Sequence, residues 1–174
     1  MKTLLQKSIL VSFLTLFLGL NQQISAQLYF RGTSATWTSS VWSTTNAAPY
    51  TTAWTTSSAA VFNVASSAIT GATTNVSSIT ANEDVTVTAG GTMGTNGTVA
   101  TITVASGKTF NFAGQSLSTA AGTGFIKAGA GTLICGNGNL YPGGFTMNAG
   151  TFIVGGVNSM GGGGALNING GTLA

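Results

Sequence analysis

The sequence predicts an all-β chain wound as a parallel β-helix, and three observations predict it. Five stretches share one form, an alternating apolar strand, a small-residue turn, then Thr and an apolar residue. They are Val85–Met93 (VTVTAGGTM), Ile102–Phe110 (ITVASGKTF), Phe125–Leu133 (FIKAGAGTL), Phe145–Phe152 (FTMNAGTF) and Leu166–Leu173 (LNINGGTL). Their turn glycines are Gly91, Gly107, Gly131, Gly150 and Gly171. Such a loose repeat, with a period of roughly 20 residues, is the mark of stacked coils. Within the stretches the apolar residues recur at every second position, with no helical pattern, so each strand has one dry and one wet face.

Taken in order, residues 1–26 read as a secretory signal peptide. Lys2 and Lys7 supply a positive start, Ile9–Leu20 an apolar stretch, and Ile24-Ser25-Ala26 a small-residue cleavage point. The apolar stretch is too short for a stable membrane span. Residues 27–84 form a Trp/Ser/Thr-rich N-terminal region, with Trp37, Trp42 and Trp54 and with little periodicity after position 65 apart from Ile69 and Ile79. This region is expected to cap the first coil, whose backbone N–H and C=O groups are otherwise bare. Residues 85–174 are the β-solenoid repeats. Val85 and Val87 share a face, as do Ile102 and Val104, Phe110 and Phe112, and Leu166 and Ile168, each pair opposed by Thr or Asn. The chain stops just after Thr172-Leu173. It reads as the front of a longer protein cut inside a repeat, with an open coil end through which it is expected to self-associate.

Composition narrows the function classes. Without residues 1–26 the charged residues are Arg31, Lys108 and Lys127 against Glu83 and Asp84, a net charge of +1. Such a chain has no electrostatic footprint for nucleic acid or an anionic membrane. One cysteine, Cys135, forms no internal disulfide, so packing and backbone pairing must hold an exported chain together. The numerous periodic apolar residues argue against disorder.

Residues 122–174 resemble the autotransporter-associated β-strand repeat, also called the passenger-associated transport repeat. Lys127, Gly129, Gly131, Thr132, Leu133, Asn139, Tyr141, Gly143, Gly144, Asn148, Gly150 and Thr151 match its pattern without a gap, and Gly171, Thr172 and Leu173 begin the same turn again. The chain departs from the pattern at Cys135, Asn137, Phe145, Met147 and Phe152. At the front, Trp37, Trp42 to Asn46 and Ala60-Val61-Phe62 are similar to the opening of such proteins, although the acidic residues and the last Trp of that opening are missing. The resemblance implies a right-handed β-helix and a secreted or cell-surface passenger, outer-membrane associated at full length. It implies no reaction.

The residues themselves point away from catalysis. Histidine is absent from the sequence, which removes the commonest general base and metal ligand. Glu83 and Asp84 are neighbours, so on a strand they face opposite ways and do not flank a glycosidic bond. They are expected to be solvated in a turn. Cys135 falls where the repeat expects an inward Leu and reads as a small buried hydrophobe. Gly161–Gly164 has the composition of a phosphate loop but lacks its Lys and helix. No cofactor or metal is implied. Trp37, Trp42 and Trp54 either pack inside the cap, the favoured reading, or stack on sugar rings.

The leading expectation is therefore a non-catalytic structural or adhesive solenoid that meets a surface glycan or cell-surface ligand. It reaches a membrane only through a C-terminal part beyond Ala174. The alternatives are the stalk of a larger polysaccharide-acting enzyme, or a carbohydrate-binding module.

Overall fold

The computed structural model describes residues 25–32, 34–136, 142–155 and 163–174. Nearly all of the expected signal peptide, together with Asn139, Tyr141, Gly161 and Gly162, lies outside the described residues. Among those described there is no helix, and the strands stack into two long parallel runs. The first contains Gln27–Phe30, Ser58–Phe62, Thr74–Ala81, Val99–Val104, Gly124–Ala128, Phe145–Met147 and Leu166–Ile168. The second contains Ala35–Thr36, Ser66–Thr70, Val85–Ala89, Thr109–Phe112, Thr132–Cys135, Thr151–Val154 and Thr172–Leu173. Successive strands alternate between the two runs, so the chain winds as a β-solenoid. A short third side, Thr92–Thr95 with Ser116–Leu117, stacks on the first half of Thr74–Ala81.

Register explains the core. Val85, Phe110, Leu133, Phe152 and Leu173 lie directly above one another, and so do Val87, Phe112, Cys135 and Val154. In the other run one file reads Leu28, Ala60, Ile79, Ile102, Lys127, Met147 and Ile168. The members of these files are buried except for the half-buried Val154 and the last coil, where Ile168 and Leu173 are 49% and 42% exposed. Each coil buries the inward residues of the one before it, which a single coil cannot do alone.

The parallel ladders begin at Gln27, well upstream of the first recognisable repeat at Val85. Coiling and capping therefore share residues 27–84. The cap is an aromatic cluster. Trp37, Trp42 and Trp54 pack with ring centroids 4.8–5.4 Å apart and rest on Phe30 and Phe62. Trp42-Ser43 also pairs antiparallel with Gln27–Phe30, covering the first edge of that run with a very short strand. Phe62 touches Phe110 and carries the aromatic packing into the coils.

Asparagine ladders link the corners. Asn82 Nδ2 donates to Asn63 Oδ1 at 2.7 Å and Asn169 Nδ2 to Asn148 Oδ1 at 2.9 Å. On the flat faces Thr109, Thr132, Thr151 and Thr172 stack as one row, and Thr103 lies on Thr80. Thr86 lies on Asn111, and Thr101 lies between Ser78 and Ile126.

Corner glycines are required for two different reasons. Gly107 has φ +72° with open space around it. Gly131 donates its N–H to Val104 O, and a Cβ there would overlap the Ala105 carbonyl oxygen and sit 2.6 Å from Lys108 O. Gly131→Ala is expected to lower stability by about 1–3 kcal/mol through backbone displacement between coils. Gly107→Ala is expected to cost only the left-handed backbone, about 1 kcal/mol. Urea unfolding followed by Trp fluorescence ranks them; equal costs would contradict the close approach at Gly131.

Candidate functional site

The three tryptophans expected either to pack or to meet sugars are inside. Trp37 and Trp42 have 0% exposure and Trp54 8%. Trp42 Nε1 donates to Trp37 O at 2.7 Å, and Trp54 Nε1 donates to Thr74 Oγ1 at 2.9 Å. Sugar stacking needs an open ring face, and these faces are turned on one another.

Glu83 and Asp84 lie in the turn before Val85, as expected, but both reach the next coil. Asp84 Oδ1 accepts the Thr109 N–H at 2.8 Å, and Glu83 forms an ion pair with Lys108. The register that sets Phe110 on Val85 also sets Lys108 beside Glu83. The Glu83 hydrogen bond holds the Lys108 amine above its ordinary range, with burial opposing. Cys135 is fully buried in its file, between Phe112 and Val154.

Lys127 is the residue whose role the sequence conceals. It occupies an aliphatic place in the inward file, between Ile102 and Met147, with 0% exposure. Its parity with Phe125 is the signal in the sequence, since residues two apart on a strand share a face. Its Nζ donates to Ala128 O, Gly129 O and Ala149 O at 2.8, 2.7 and 3.1 Å. An ammonium has three donors, and three carbonyls from two adjacent coils take them. Gly150 leaves the room: a Cβ there would lie 2.8 Å from Nζ. Burial pushes the Lys127 pKa down to about 8, against the pull of those carbonyls.

The third side carries an open groove of about 550 Å³, whose hydrogen-bonding side chains are Thr, Ser and Asn only, Thr73, Thr92 and Thr119 among them. These residues come from three coils and share no motif, so sequence reading does not assemble them. Among the described residues no cluster of three or more His, Cys, Asp or Glu is placed to hold a metal ion.

No family model, curated protein or solved structure matches the chain.

Replacing the lysine by an apolar side chain of similar length tests its part. Lys127→Met strips three carbonyls of their donor and is expected to cost about 1–3 kcal/mol in urea unfolding at pH 7. The pH dependence has a definite sign. The folded chain releases the Lys127 proton near pH 8, while the unfolded chain holds it to its ordinary 10.5. Unfolding therefore takes up a proton between these values, and stability rises with pH across that window. The advantage of wild type over Lys127→Met should be flat below pH 7 and widen from pH 8 to 10.5. A gap that narrows there would contradict the burial of this amine.

Proposed function

We propose that the chain is an exported structural solenoid, a rod segment that displays its polar sides at or beyond the cell surface. The observation that carries this reading is the use made of charge. Once segment 1–26 is set aside, the charged side chains are Arg31, Glu83, Asp84, Lys108 and Lys127. Glu83, Asp84, Lys108 and Lys127 join one coil to the next. In an enzyme cleft such groups converge on a substrate; here they hold a stack. The resemblance to the passenger-associated repeat and the signal-like segment 1–26 support export. The three buried tryptophans support a capping role for that cluster. Contact with a surface glycan or cell-surface ligand belongs to the rod's outer sides.

The rod's last described coil leaves Ile168 and Leu173, the ends of two inward files, exposed to solvent. A second copy is the partner proposed for that surface. Expressed with segment 1–26 in place in a bacterial host, the chain should appear outside the cytoplasm beginning at Gln27. Light scattering should then show species larger than one chain, and Ile168→Asn combined with Leu173→Asn should shift them toward monomer. Retention of an uncleaved chain in the cytoplasm would defeat the export reading. A wild-type monomer at all concentrations would defeat the association.

A further inference from the structure

The groove on the third side combines neutrality with oriented hydroxyl groups. Thr92, Gly94 and Thr95 with Ser118–Ala120 line one part of it and Thr73–Asn75 another, and parallel pairing of Thr92–Thr95 with Thr74–Ala81 and with Ser116–Leu117 holds them in place. No charged side chain lines it. Burying a charge against such walls costs desolvation without return, so the lining favours an uncharged ligand.

A hydroxyl has one hydrogen and two lone pairs, and the surrounding structure determines which of these the groove presents. The Trp54 indole N–H donates to Thr74 Oγ1 at 2.9 Å. The Thr92 N–H donates to Thr73 Oγ1 at 3.3 Å and the Gly143 N–H to Thr119 Oγ1 at 3.1 Å. In all three one lone pair is taken, and the hydroxyl keeps its hydrogen and a second lone pair for a ligand. Thr95 is set the other way. Its Oγ1 donates to Thr123 Oγ1 at 3.0 Å, and Thr123 donates onward to Ala120 O at 2.9 Å. The Thr95 oxygen is thereby left as an acceptor, on a side chain only 8% exposed. Gly94 keeps the space clear, since a Cβ there would lie 2.5 Å from Asn75 Oδ1.

We infer that this groove binds a neutral oligosaccharide. Vicinal sugar hydroxyls donate and accept at once, which matches three hydroxyl groups that can still do both beside Thr95, whose hydrogen is already committed. Its volume of about 550 Å³ falls within the roughly 300–1,000 Å³ typical of ligand pockets. The ring of Trp54 lies beneath Thr74 and is almost closed to solvent, so affinity comes from hydrogen bonds and is modest, with a dissociation constant on the order of 1 mM. This site is independent of the buried tryptophan faces and does not require the rod reading.

The test is an amide-shift titration of the full chain by NMR with maltotriose, cellotriose and xylotriose, and with trigalacturonate as the anionic control. At least one neutral trisaccharide should shift the amides of Thr73, Thr92 and Ser118 saturably. Thr73→Val combined with Thr92→Val keeps side-chain shape and removes two hydroxyls; it should weaken binding about tenfold or more. Gly94→Val should block the groove and abolish the shifts. The inference is overturned if no neutral trisaccharide gives saturable shifts there. Tighter binding of trigalacturonate, or undiminished binding by the double valine variant, would overturn it equally.

Discussion

In-register parallel pairing of each coil with the one before it is the constraint on which this molecule depends. The chain has little else to hold it. It has one cysteine and no helix among its described residues, and few charges. Pairing at a fixed register places like on like. Leu133 meets Phe110 in the coil before and Phe152 in the coil after, and the neighbouring Thr and Asn residues stay on the outer face. A slip of one residue would invert every side chain of a coil. The repeat can therefore tolerate drift in spacing. Gly107, Gly131, Gly150 and Gly171 each stand at the corner from the first run to the second, and the longer interval from Gly107 to Gly131 takes in Ser116–Leu117 on the third side while strand register is kept; Gly91 follows a strand of the second run, so the Val85–Met93 stretch is out of phase with the other four.

The same register turns the few charges into connectors. Glu83 and Lys108 meet because their strands are stacked, and Asp84 takes the N–H of Thr109 one coil on. Lys127 does this from within, where its stem fills an aliphatic place and its ammonium bridges carbonyls of two coils. At the first edge the tryptophan cluster and the short Trp42-Ser43 strand replace the coil that would lie below. The groove of the third side, with walls fixed by the same pairing, is the place where neutral hydrogen-bonding groups face outward together.

How much of this is legible in the sequence depends on contrast between faces. Val85 and Val87, Ile102 and Val104, and Phe110 and Phe112 alternate with Thr, Ala and Asn, so those strands and their inward residues can be read directly. Thr74–Ala81 cannot, because its inward residues Val76 and Ile79 are three apart. The pairing with Ser58–Phe62 shifts register at Ser58/Ala59, a bulge-like irregularity that breaks the period of two. Ser66–Thr70 has the same trouble, with buried Ser66 and Ile69 and two register shifts against Val85–Ala89. These irregular coils look like a separate cap when only the sequence is read. Lys127 is hidden for another reason: charge argues for an outward position, and only its parity with Phe125 argues otherwise. The groove is hidden because Thr73, Thr92 and Thr119 are ordinary residues in a Thr-rich chain until three coils are set side by side.

One measurement bears most directly on the in-register stack. In a methyl-labelled sample, nuclear Overhauser contacts from the Leu133 methyl groups report which residues lie above and below. Register pairing predicts contacts to the ring protons of both Phe110, in the coil before, and Phe152, in the coil after. Contacts instead to the outer-face residues Asn111 and Ile153, or none to either ring, would contradict the stack and with it the placement of every charge, cap and groove described above.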